Sequence, residues 1–387
     1  MKKIYLEPGW KMRREYNDLI QNPPQGYEFV VQETTAEGLF KYLAKTNLAY
    51  VILYGLDRFV PMELAKPYWE RFKRLPERVD LTYSVFHPVF RKKPWIMDMQ
   101  PEQPHLLVGS ERVFRRWKGL MKGAFFSSYC RKIICQLEAA KKAFLEGVGW
   151  PELEEKTVVI NLAVSKKHFT KSYDKDKIKL LFVNSANINA SKHFRTHGGM
   201  ILLEVFNRLC KKYDNLQLVV RSGLSQDIKE KFSQNPKVRI YDEIIPWPQL
   251  EEEFRSADIF LYPTFVTPAT IFLDAMSYEL PIVTTDVWGN SEIVEDGRTG
   301  LLVECPQAVK YTDSFIVHFD SQEYKKAISN VDPELVAAVT DKTSILIENE
   351  ELRRTMGKAG RWEVEYGRFS IEKRNEKLKR VLDEATA

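Results

Sequence analysis

Cysteine is scarce in this chain: four residues among 387, at Cys130, Cys135, Cys210 and Cys305. Their spacing suits no metal site, and Cys130 to Cys135 is too wide for a redox CxxC pair, so they read as core thiols in a reducing cytosol. No apolar run is long enough to span a bilayer. The opening MKKIYLEPGW turns polar and acidic too early for a secretory signal. Charge of one sign is not in excess either. The 58 Lys and Arg against 53 Asp and Glu leave a net +5, which permits contact with phosphates or anionic lipid without demanding either. Repeats and low-complexity tracts are missing too. The expectation is a cytoplasmic globular protein without a nucleic-acid partner, with peripheral contact at the inner face of the membrane left open.

What is present is an alternation of apolar runs and helical patterns, in two halves. A chain of this length corresponds to about two to three domains. The first half holds strand-like runs at 3–6, 27–31, 49–54, 93–99, 132–135 and 158–160, each spaced to leave room for a helix or a long loop. Residues 165–179 are polar and aperiodic, as a linker is. The second half restarts with a strand at 180–183, a helix over 200–212, strands at 216–220 and 237–241, and a helix around 249–255. Residues 305–340 show no regular pattern, and from Thr343 onward the chain is helical and charged, with Ile371, Leu378 and Leu382 on one face. Strands alternating with helices imply parallel sheets with helices on both faces. The expected organisation is α/β, with an N-terminal domain over 1–165, a linker over 166–178, a second domain over 179–365, and a final helix within 366–387 packing back on the first domain. Two such units imply a cleft, a common place for a small-molecule site.

The most informative stretch runs from 257 to 303 (ADIFLYPTFVTPATIFLDAMSYELPIVTTDVWGNSEIVEDGRTGLLV). It reads as strand (259–262), loop (264–270), helix (271–279), strand (from 281), loop and closing strand. Thr267-Pro268 can cap and start the helix. Loops at the carboxyl ends of parallel strands, leading into helix N-termini, are where open α/β sheets bind anionic ligands.

Four local patterns then stand in a telling order: 181–185 (LFVNS); His197-Gly198-Gly199 ahead of 202–206 (LLEVF); 274–276 (DAM) with 281–286 (PIVTTD); and 291–294 (SEIV) with 296–303 (DGRTGLLV). Residues 352–357 (LRRTMG) and 368–370 (RFS) follow. Together they resemble the donor domain of the retaining glycosyltransferases called group 1, or family 4, over roughly residues 130 to 385. The resemblance implies a GT-B type fold, two Rossmann-like domains facing across a cleft, with the poorly matching residues 1–90 on the side of a variable acceptor. It also implies no obligatory metal and no cofactor beyond the donor, a UDP- or GDP-type nucleotide sugar.

The departures from that family are as informative. The family's Arg in the first donor-domain loop and its Lys before the Gly, both of which grip the donor diphosphate, fall here on Ser185 and His197. Its paired acids fall on Val266 and Asp274, and its acceptor-side His aligns best with Gln100. Asp274 is expected either to accept from the vicinal ribose hydroxyls or to serve as a first-turn acid for the helix dipole. The N–H groups of Ala269 and Thr270, with the hydroxyls of Thr267 and Thr270, either hold a phosphate or the sugar or form a plain capped turn. Arg195 is expected to fork onto phosphate oxygens in place of the missing Arg, with Lys192 nearby. His197 adds a donor beside Gly198, charged if phosphate raises its pKa; the opposing reading is a solvated basic loop. Asp98 and Gln100 are the candidates for the acceptor or the sugar face, against a polar rim. The stretch from Arg112 to Lys122 (RVFRRWKGLMK) is either a basic amphipathic helix on an anionic bilayer or a helix packing its apolar side inward.

The implied activity is transfer of a hexose, with retention, from a nucleotide-diphosphate sugar to a glycan, a lipid-linked or another hydroxyl acceptor. The competing expectation is a non-catalytic nucleotide- or glycan-binding protein on a degenerate glycosyltransferase fold.

Overall fold

A computed structural model describes residues 1–7, 14–31, 78–99, 111–171, 173–174, 176–184, 190–233, 235–305 and 321–387, with the single positions 68, 72, 75 and 309. Two compact units divide it. Met1–Leu162 and Glu372–Ala387 form the first, and Ala163–Asp313 with Val317–Ile371 form the second.

The first unit is built on strands β1 (Lys2–Glu7), β2 (Tyr27–Val30), β3 (Leu81–Val85), β4 (Trp95–Met99), β5 (Cys130–Cys135) and β6 (Thr157–Val159), all parallel, in the order β2-β1-β3-β4-β5-β6. Helices α1 (Arg14–Gln21), α2 (Glu111–Phe125) and α3 (Glu138–Val148) lie between them in sequence. Strand β3 was not expected. Its sequence LTYSV alternates polar and apolar residues, yet all five are buried. Ser84 is tolerated there because its hydroxyl donates to the His87 carbonyl at 2.6 Å. The strand expected at 49–54 lies outside the described residues.

The second unit repeats the plan with β7 (Ile178–Val183), α4 (Ala190–Thr196), α5 (Gly199–Lys212), β8 (Leu216–Arg221), α6 (Gln226–Ser233), β9 (Val238–Tyr241), α7 (Trp247–Ser256), β10 (Ile259–Tyr262), α8 (Ala269–Ser277), β11 (Ile282–Thr285), α9 (Asn290–Ile293) and β12 (Gly300–Val303). Its six strands are parallel in the order β12-β11-β10-β7-β8-β9. Strands β10 and β11 are buried along their whole length, as expected of a parallel sheet covered on both faces.

Helices α10 (Gln322–Ser329), α11 (Pro333–Glu348) and α12 (Glu350–Glu365) follow, which corrects the reading of 305–340 as irregular throughout. The start signals were there. Ser321 accepts from the Tyr324 N–H, Asp332 accepts from Glu334 and Leu335 with Pro333 in the first turn, and Asn349 accepts from Leu352. They were masked because α10 is charged and turns only Tyr324 and Ile328 inward.

The last helix, α13 (Ile371–Ala385), packs on the first unit. Its Leu378, Val381, Leu382 and Ala385 join Ile4, Leu6, Tyr16, Leu19 and Ile134 in one apolar cluster. Polar pins flank it. Lys2 donates to Thr386 Oγ1 at 2.8 Å, Tyr27 to Asp383 at 2.6 Å, and Arg374 to the Asn22 carbonyl at 2.7 Å. Leu382 is fully buried, so Leu382→Ala is expected to cost about 2–5 kcal/mol in a urea unfolding experiment. A loss below about 0.5 kcal/mol would show that α13 is not part of this core.

Candidate functional site

In the second unit the chain runs β7, β8, β9 toward one edge and then returns to place β10, β11 and β12 on the other side of β7. The carboxyl ends of β7 and β10 therefore flank a topological switch point, where open parallel sheets leave a crevice for ligands. Three turns meet there: the end of α4 with His197 and Gly198, the loop from Pro263 to Pro268, and the loop after β11.

Gly198 has φ +76°, and a Cβ on it would stand 1.8 Å from the Pro263 carbonyl oxygen. No other residue permits that approach. The neighbouring Gly199 opens α5 and lies against the Phe194 ring, where a Cβ would fall 2.3 Å from ring carbons. The glycine pair thus lets the turn press onto the β10 loop, and the Phe265 N–H donates to the Thr196 carbonyl at 3.0 Å across the same junction. The loop is braced from its far side as well. Thr285 donates to the Thr264 carbonyl, and the Gly289 N–H donates to Thr267 Oγ1 at 3.1 Å. Thr267 thus spends one acceptor position within the protein, and its hydroxyl proton and second lone pair remain for a ligand.

Helix α8 begins at Ala269, with Pro268 as its cap residue and no side-chain cap. First-turn N–H groups have no partner inside a helix, so those of Ala269 and Thr270 present a partial positive charge at the carboxyl edge. Because the helix starts two residues earlier than expected, Asp274 is its sixth residue, beyond the reach of the terminal dipole. Its reading as a first-turn acid is corrected by that count. The Asp274 side chain is buried.

His197 sits against the Tyr262 ring, centroids 5.6 Å apart, with Nδ1 3.3 Å from Thr264 Oγ1. Burial, and then the charge of His193, push its pKa from 6.5 down to about 3. The protein alone holds this imidazole neutral, so the charged donor foreseen at this position requires the phosphate to reverse that shift. Arg195 is half-buried on α4. Its charge is felt by Asp227 at the start of α6, a carboxylate held low first by its hydrogen bond to Ser225. Ser185 and the side chain of Lys192 lie outside the described residues, and so does Gln100.

Asp98 belongs to the first unit. It is the penultimate residue of β4, with one oxygen accepting from Tyr83 at 2.7 Å and Tyr16 at 3.3 Å, and the other from Gln136 at 3.2 Å. These residues line a shallow, open recess together with Asn161 and Arg374. Burial and the Asp98 charge raise the Tyr83 pKa well above its ordinary value, which keeps the phenol a proton donor to the carboxylate. None of Tyr16, Tyr83, Gln136 or Arg374 was anticipated, since they come from separate elements and share no local pattern.

Helix α2 spends its apolar side on the interior, burying Phe114, Met121 and Phe125. Arg115, Arg116 and Lys122 are exposed, and Lys122 lies over the Phe126 ring at 5.2 Å. The packing reading holds for its apolar face. Among the described residues no helix is long and apolar enough to cross a membrane, and no cluster of three or more His, Cys, Asp or Glu is arranged to hold a metal.

Comparison with known proteins places this site in context. The family model for "Glycosyl transferases group 1" matches residues 185–316, the segment that forms the switch-point loops. A D-inositol 3-phosphate glycosyltransferase of Pseudarthrobacter chlorophenolicus is 36% identical over 74 residues, 19% of this chain and 18% of the relative. The capsular polysaccharide biosynthesis glycosyltransferase CapM of Staphylococcus aureus is 25% identical over 171 residues, 42% of this chain and 37% of the relative. These matches thus span well under half of the relatives' own lengths. Among solved structures, HepE of Anabaena in complex with UDP and glucose superposes with a TM-score of 0.58 at 14% identity, covering 99% of both chains. That likeness shows the fold class, α/β with two Rossmann-like units as in GT-B glycosyltransferases.

Two outcomes follow from the local geometry. Gly198→Ala forces the turn away from Pro263 and is expected to destabilise the second unit by about 1–3 kcal/mol in chemical denaturation; an unchanged midpoint would contradict the close approach. Unfolded His197 binds its proton near pH 6.5 and the folded residue only near pH 3. The unfolded state therefore takes up more protons in between, and stability falls as pH drops below 6.5. His197→Gln is expected to flatten the fall between pH 6.5 and 5, where most carboxylates are still ionised. Parallel stability curves for the variant and the parent would rule the buried neutral imidazole out.

Proposed function

We propose that this protein is a retaining, metal-independent glycosyltransferase that moves a hexose from a UDP- or GDP-type sugar to a hydroxyl of a glycan or lipid-linked acceptor. The observation that carries the reading is the switch-point crevice, where the loop leading into the uncapped start of α8 packs on the glycine-dependent turn at 197–199, inside the segment that the group 1 family model matches. The similar proteins support a sugar-nucleotide donor: one solved structure holds UDP and glucose, and others are named as glycosyltransferases.

In the proposed reaction the bond between the anomeric carbon and the diphosphate oxygen breaks, and the electron pair leaves with the phosphate. The acceptor oxygen bonds to the same face of that carbon, and its proton passes to the departing phosphate oxygen. No strong protein base is needed. The first-turn N–H groups of Ala269 and Thr270 stabilise the negative charge that grows on the diphosphate, the kind of electrostatic contribution that usually dominates catalysis. His197 and Gly198 border the phosphates, Thr267 and Thr270 offer hydroxyl protons to the sugar, and Asp274 accepts from the ribose. Asp98 serves the acceptor side, with Gln100, while Arg195 grips phosphate oxygens and Ser185 serves the donor. The exposed cations of α2 allow peripheral contact with an anionic membrane in the cytoplasm.

A second reading, a non-catalytic nucleotide- or glycan-binding protein on the same fold, is favoured by the neutral His197 and by Val266 in place of an acid. Incubation with a panel of UDP- and GDP-hexoses, with EDTA present, separates the two: donor hydrolysis or transfer supports the enzyme, and binding without turnover supports the alternative. Asp274→Ala is expected to weaken donor binding by roughly 10–150-fold, the worth of a hydrogen bond to a charged group at about 1.5–3 kcal/mol. Unchanged affinity in direct titration would remove Asp274 from the ribose.

A further inference from the structure

The carboxyl end of β8 carries a cation with no role so far. Arg221 is the last residue of β8 and stands in register with Val183, the last residue of β7, so it borders the switch point directly. Its Nη1 donates to the backbone oxygen of Asn184, and the Asn184 N–H returns a bond to the Arg221 carbonyl at 2.7 Å. Asn184 is the residue immediately before Ser185. The guanidinium is thus moored at the start of the loop in which the resembled family carries its phosphate-gripping Arg.

Arg221 is half-buried, and its Nε is fully buried with no hydrogen-bond partner. Among the described residues no carboxylate pairs with it. Burial lowers its pKa, and the nearby Tyr262 hydroxyl offsets that only in part. Tyr262 ends β10, on the far side of β7, so Arg221 and Tyr262 flank the switch point from its two sides. A partly desolvated cation whose buried Nε lacks a partner gains from an anion that completes it. A guanidinium is also the side chain whose forked donors match phosphate oxygens. Arg195, by contrast, already has Asp227 nearby.

We infer that Arg221 binds the diphosphate of the nucleotide donor, reaching it from the carboxyl end of β8 beside the switch point. The inference rests on the donor reading above and names the residue that would grip the leaving group. It assigns Arg221 direct contact with the phosphate, with the Asn184 carbonyl as its fixed mooring.

Calorimetric titration of the full chain with UDP and GDP, using uridine and guanosine as controls, tests it. Arg221→Met is expected to weaken binding of the diphosphate by at least about tenfold, to leave nucleoside affinity unchanged, and to flatten the salt dependence of diphosphate binding. Arg221→Lys, which keeps a charge able to reach Asn184 but loses the fork, is expected to fall between the two and serves if the Met variant folds poorly. If the Lys and Met variants bind diphosphate as the parent does, the inference is overturned while the donor reading stands. Equal loss of nucleoside and diphosphate would also overturn it, by assigning Arg221 to loop structure alone. A parent chain that binds neither nucleotide overturns the inference together with the donor reading.

Discussion

The Pro263 carbonyl lies where a side chain at position 198 would begin, and the carboxyl edge of the second sheet is arranged around that contact. It seats the start of α5 against the loop that leads into α8. Two helix N-termini from opposite sides of the switch point are thereby set within one local framework. Thr285 and Gly289 then fasten the same loop from β11 and the turn that follows it. The loop so held has little freedom to reorganise when a ligand arrives, and such pre-organisation lets backbone N–H groups act on developing charge without a further ordering cost.

Among its described residues this edge combines partial charges with full ones. His197 is kept neutral chiefly by its burial, the start of α8 contributes only partial charge, and the half-buried Arg221 stands level with the end of β7. A site of this kind depends on the exclusion of water more than on the number of cations, because each partial charge gains strength as the local dielectric falls.

Much of the second unit was legible in the sequence because its strands are uniform. IFLY and IVTT are buried throughout, so continuous β-prone runs bounded by Pro and Asp marked them. Strand β3 was not legible, since buried Thr82 and Ser84 look like solvent-facing positions until their place in the sheet is known. The start of α8 was placed two residues late, because Pro268 and Ala269 carry no helical periodicity of their own. For Asp98 the position could be named but its surroundings could not. Tyr16, Tyr83 and Gln136 reach it from three different parts of the chain, and only the folded sheet brings them together. Arg221 ends an apolar run with a charge, which is visible in the letters, but nothing local says whether that charge has a partner.

The placement of α13 bears on the order in which a ribosome can finish this molecule. The first unit opens with β1 at Lys2 but closes its apolar cluster with residues 378 to 385, and the second unit is inserted between them. Domains generally fold as units as they emerge, at about 5–20 residues per second. The second unit, though synthesised later, is therefore complete in sequence first. The apolar cluster of the first unit is closed only after the second unit has been synthesised, so that its completion is a late step in the making of the fold.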